Sequence, residues 1–112
     1  MSLPDRYKLI FFVPSQYLSE IKTAIFATGA GSYPGKGQYT ECCFTSPGVG
    51  QCRPGASANP TIGTPGQLEE IDEVRCEILC VGHGVTKDAV EALKKAHPYE
   101  EPAYEVYKLE AF

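Results

Sequence analysis

The chain lacks any apolar run approaching the roughly 18 to 20 residues that a membrane-spanning helix needs. The longest run near the start, LIFFV from Leu9 to Val13, is too short, and no small-residue cleavage site follows it. Neither a membrane anchor nor a signal peptide is therefore expected. Basic residues never cluster. With a net charge of -4 nothing is available to neutralise a phosphate backbone, which sets nucleic acid aside as a default partner. Histidine is scarce, at two residues, and no C-x-x-C pair occurs. The five cysteines are odd in number and follow no secretory cue, so a reduced, cytoplasmic protein is expected.

What remains fits one small domain. At 112 residues the chain can build a single hydrophobic core, spanning about 5–110, and no second one. In YKLIFFV, Tyr7, Leu9, Phe11 and Val13 alternate onto one face of a strand, with Ile10 and Phe12 on the other. Pro14 ends it. Ser15 is placed to cap a helix carrying Leu18, Ile21 and Ile25 on one face, and Gly29 to end that helix. From Gly29 to Gly66 the composition changes: nine of the eleven glycines and five of the nine prolines fall there. YTECCFTS, Tyr39 to Ser46, reads as a strand, and 48–66 as an extended Gly/Pro-rich arm.

A long strand follows in QLEEIDEVRCEILCVG, with Val74, Cys76, Ile78 and Cys80 on one face and a change of phase near Asp72 that suggests a bulge or bend. Thr86 is placed to cap a second helix, Val85 to staple against Val90 across that cap, and Leu93 to continue the buried face. HPYEEP then breaks the helix, and AYEVYKLE supplies a last strand. The order is βαββαβ: an α+β, ferredoxin-like sandwich with a four-stranded antiparallel sheet and both helices on one face. Apolar residues on both faces of the strands predict self-association.

The glycine-rich stretch GAGSYPGKGQYT, 29 to 40, invites a phosphate-loop reading and fails it. Ala30 stands where the first glycine of G-x-x-x-x-G-K-[ST] belongs, and Gly37 where the hydroxyl residue belongs. A phosphate cradle also follows a strand and opens a helix, whereas here a helix precedes and a strand follows. This stretch is a turn. Cys42 and Cys43 point to opposite faces of a strand, and Cys76 and Cys80 lie about 13 Å apart along one, too far to share an ion. Cys76 and Cys80 read as small hydrophobes, and Cys52 as the thiol most open to solvent. His97 lies at a helix C-terminus, where a cation is favoured, and a competing reading joins it with Glu100 and Glu101 as ligands for a divalent metal ion. The flanking prolines explain the same residues as a rigid junction.

Taken in order, GAG, G-x-G-x-x-R-P (Gly48 to Pro54), NPTIG, LEE, VRCE and HPYEEPAY resemble the insert domain of YqfO-type Nif-three-like proteins. That domain is related in fold to CutA and to the PII signalling proteins, and the resemblance runs from about Tyr7 to Leu109. It implies a CutA/PII-like fold and a homotrimer. The longer relatives carry a metal pair on His, Asp and Glu residues of a flanking domain, which two histidines cannot supply, so no resident cofactor is expected. Cys52 and Cys76 stand where a larger apolar residue would be expected. The expected function is a non-catalytic regulatory or ligand-binding module, with ligands held in clefts between subunits. The 48–66 arm and the HPYEEP junction would line them, through Arg53, Asn59, His97, Tyr99, Glu100 and Glu101. Two alternatives stand beside it: a CutA-like divalent-metal binder using His97, Glu100 and Glu101, and a small hydrolase or thiol enzyme using Cys52 or a histidine.

Overall fold

The computed structural model describes residues 3–35 and 37–112. Lys36, the basic residue of the rejected phosphate-loop reading, and the first two residues lie outside them. Six elements follow in the expected order: β1 (Arg6–Val13), α1 (Ser15–Phe26), β2 (Phe44–Cys52), β3 (Glu69–Val81), α2 (His83–Ala96) and β4 (Tyr104–Leu109). They form one antiparallel sheet in the order β2-β3-β1-β4. β1 lies between β3 and β4, pairing Arg6 with Val81 on one side and with Leu109 on the other.

The core sits between the two helices and one face of the sheet. Leu9, Phe11 and Val13 from β1 meet Cys76, Ile78 and Cys80 from β3, and Ile21, Ile25, Ala89 and Leu93 close over them from the helices. The period-two alternation of the sequence places these strand residues inward. Burial pushes the Cys80 thiol up to about 11 and the Cys76 thiol up to about 12, the latter with the Cys43 thiol beside it adding to the effect.

Several local expectations need correction. Ser15 is the first helical residue rather than a cap; Pro14 precedes α1 and no side chain caps it. Thr86 lies inside α2, which begins at His83, so Val85 and Val90 do not staple across a cap. Gly82, at φ +94°, turns the chain straight from β3 into the helix. Thr86 then donates both its backbone N–H and its hydroxyl to the Gly82 carbonyl, at 3.1 and 2.8 Å. The β2–β3 register runs one for one from Phe44↔Glu77 to Cys52↔Glu69, so there is no bulge at Asp72.

The second strand also sits later than the aromatic residues suggest, at 44–52 instead of 39–46. Gly48 to Cys52 therefore belong to a strand, and the loop spans 53–68. An edge strand pairs on one side only and accepts Pro47 and two glycines without losing its ladder. Upstream, Gly31 donates to the Leu79 carbonyl and Cys42 to the Gly31 carbonyl, both at 2.8 Å, so the 29–43 turn covers the edge of β3 above β2.

Candidate functional site

β3 is longer than the strand beside it. Val74 pairs with Val13 at the end of β1, and Glu69 to Glu73 run on, paired only with Gly48 to Cys52. This two-stranded ribbon overhangs the sheet by about 17 Å at 3.3 Å per residue. It gives the molecule its extent of 53 × 24 × 23 Å. Beneath the overhang lies the 97–103 junction between α2 and β4.

His97 anchors that junction. It is buried, its Nε2–H donates to the Phe12 carbonyl at 2.7 Å, and its Nδ1 accepts the Tyr99 N–H at 3.1 Å. This pattern fixes the neutral tautomer. Burial lowers its pKa, against an opposing pull from the Phe12 bond and Glu73. The helix C-terminus thus holds a neutral imidazole, not the cation expected there. The His97 and Tyr99 rings lie 4.7 Å apart, and the Tyr99 hydroxyl donates to Glu73 Oε2 at 3.0 Å. Burial, then Glu73, drives the Tyr99 hydroxyl pKa upward, so it stays a donor.

Register sets the opposite wall. Phe12, Arg75 and Ser46 form one row across the helix-free face, and Glu73 and Gly48 the next. A Cβ on Gly50 would run into Glu73 Oε1, so glycine lets that carboxylate lie across β2. Arg75 Nε meets Glu77 Oε2 at 3.1 Å, with its guanidinium 5.9 Å from the Phe12 ring centroid. Between ribbon and junction opens a cleft of about 530 Å³, walled by Phe12, Glu73, Arg75, Tyr99 and Glu101 over the Gly48–Gly50 backbone. A smaller cavity of about 230 Å³ adjoins it, sharing Cys52, Ile71, Tyr99 and Glu101, with Pro60 and Ile62 of the loop on its far side.

The loop is latched over the junction: the Asn59 N–H donates to Glu100 Oε2 at 2.9 Å and the Thr61 hydroxyl to the Pro98 carbonyl at 2.8 Å. Arg53 closes the loop on itself through the Gly66 carbonyl at 2.9 Å. Of the residues singled out from sequence, Tyr99 and Glu101 face the cleft, while His97 lies behind it and Arg53, Asn59 and Glu100 hold the loop. Both ring nitrogens of His97 are engaged, and among the described residues no group of three or more His, Cys, Asp or Glu is set to hold an ion. Cys52 is exposed and borders both cavities. Sequence reasoning missed Phe12, Glu73 and Arg75, and placed Gly48 and Gly50 in a cleft-lining arm without seeing that they form part of a strand. The one available signal was the spacing of two between the glycines, which puts both on one face of a strand.

No family model matches the chain. Its curated relatives include GTP cyclohydrolase 1 type 2 homologs of Listeria monocytogenes, 42% identical over 92% of this chain, and of Bacillus subtilis, 40% identical over 92%. The chain spans about a quarter of their length, 27% and 26%. Among solved structures, a Bacillus cereus protein related to NIF3 superposes with a TM-score of 0.82 at 33% identity, over 99% of this chain and 27% of that one. CutA of Xylella fastidiosa (TM-score 0.67, 18% identity, 96% of this chain and 86% of that one) shares the fold. So does GlnK of B. subtilis (TM-score 0.60, 15% identity, 94% and 85%).

Proposed function

We propose that the chain is an insert-type module of the Nif-three-like proteins, a non-catalytic ligand-binding module working as a homotrimer; its 42% identity to a GTP cyclohydrolase 1 type 2 homolog and its superposition on a NIF3-related protein support this. The observation that carries this reading is the cleft itself, about 530 Å³ with walls from three strands and the junction. Its size and mixed lining are those of small-molecule sites. The chemistry around it favours holding over turning over. His97 has no free nitrogen to act as a base, and the Tyr99 hydroxyl is kept protonated by burial and by Glu73. With both His97 nitrogens so engaged, an organic ligand is favoured over a divalent metal ion.

The edges of the sheet support assembly. β2 and β4 each have one unpaired side and run antiparallel to one another. Both display exposed apolar side chains: Phe44 and Val49 on β2, Val106 and Tyr107 on β4. Head-to-tail pairing of β2 with the β4 of a second copy would continue one antiparallel sheet, and such heterologous contacts close into rings. A cytoplasmic setting suits five free cysteines, and no helix among the described residues is long and apolar enough to cross a membrane. Native mass spectrometry of freshly purified, reduced protein tests the proposal. A trimer carrying added mass is expected, and a bare monomer overturns it.

A further inference from the structure

The walls of the cleft differ in chemistry, and the difference selects a class of ligand. Its open floor is the peptide backbone at Gly48, where a Cβ would meet nothing within 4 Å, while the Glu73 carboxylate covers Gly50 on the same face of β2. Phe12 supplies an aromatic wall. The lining cation, Arg75, is matched by Glu77 and lies over the Phe12 ring, so this wall already carries one planar cation. Glu73 and Glu101 line the cleft with no ion-pair partner among the described residues. The Tyr99 hydroxyl holds Glu73 through Oε2, which leaves Oε1 over the floor at Gly50.

Building on the ligand-binding reading above, we propose that the cleft takes a small planar cation of the amidine, guanidine or aromatic-amine class. Its flat face rests on the open Gly48 backbone beside Phe12, and its N–H groups donate to Glu73 Oε1 above Gly50, with Glu101 adding negative charge. An anion would face two carboxylates, and a branched aliphatic group would gain little from a flat floor. Carboxylates accepting from a planar, charged donor form the stronger kind of hydrogen bond and reward that geometry. A volume of about 530 Å³ leaves room for a ligand of one or two rings.

The test uses the full chain, benzamidine as probe, and benzamide as its neutral, equally flat counterpart, followed by amide NMR titration. Benzamidine should shift the Gly48, Gly50 and Tyr99 amides, and benzamide should bind about tenfold more weakly for want of the charged contact. Glu73→Gln should remove that preference. Gly48→Val, which fills the floor from a position with open space, should remove binding while leaving the rest of the amide spectrum native. Equal binding of the two probes, or undiminished binding to a natively folded Gly48→Val, overturns the proposal. Failure with benzamidine in a protein that still carries added mass as a trimer overturns this ligand class alone. A bare monomer overturns the broader reading instead.

Discussion

The two ends of β3 share a strand and a ladder yet are held in different ways. From Val74 to Val81 the strand is covered on both sides, by β1 throughout and by β2 then the 29–43 turn on the other edge, with helices above, and Cys76, Ile78 and Cys80 are fully buried. From Glu69 to Glu73 it has one partner and no buried residue. The first end is held by removing apolar surface from water, the second by backbone pairing, the Glu73–Tyr99 bond and the loop latch. A polar, lightly held ribbon is what a binding cleft needs, since groups buried for stability are not free to meet a ligand.

The contrast can be broken most forcefully at the core. Phe11→Ala should cost about 3–5 kcal/mol in urea unfolding, whereas Ile71→Ala on the overhang should cost under about 1 kcal/mol. Comparable losses would mean that the ribbon is part of the core after all. His97 sits at the boundary, and His97→Ala should cost about 2–3 kcal/mol by leaving the Phe12 carbonyl and the Tyr99 N–H unpaired in a buried place.

The same residue predicts a pH dependence. Its folded pKa lies below the ordinary 6.5, so its contribution is fully present above about pH 6.5 and is lost as the pH falls through the depressed folded value. Urea midpoints measured down that range should fall in the native protein relative to His97→Ala; parallel curves would refute a neutral, buried imidazole.

Smaller effects sharpen the picture on the ribbon side. Thr61→Val removes one latch bond and should cost about 0.5–1.5 kcal/mol, seen as faster amide exchange in 53–68 with the core unchanged. Faster exchange throughout the core of that variant as well would show that latch and core are one unit. Val49→Lys, on the exposed edge of β2, should leave urea unfolding of the subunit within about 0.5 kcal/mol while shifting sedimentation toward monomer. An unchanged assembly would remove β2 from the interface.

Where burial decides, the sequence was legible. Leu9, Phe11 and Val13 alternate because one face of β1 is covered, and the βαββαβ order follows from such patterns. The element boundaries were less so. Pro47, Gly48 and Gly50 read as loop because they are poor residues for a strand paired on both sides, and only the edge position admits them. Thr86 resembled a helix cap because Gly82 starts α2 earlier through a left-handed turn that composition does not reveal. The site was least visible of all. Phe12, Gly48 and Glu73 are brought together by cross-strand register, and no spacing along the chain encodes that meeting. His97 carried a chemical signal that its burial then cancelled.

The pairing of Arg6 with Leu109 has a topological consequence. The chain enters the fold and leaves it on adjacent strands, about 5 Å apart. A unit wired this way occupies no more room at its base than a hairpin turn. Everything else, from the helices to the overhanging ribbon, hangs from that base as a side branch.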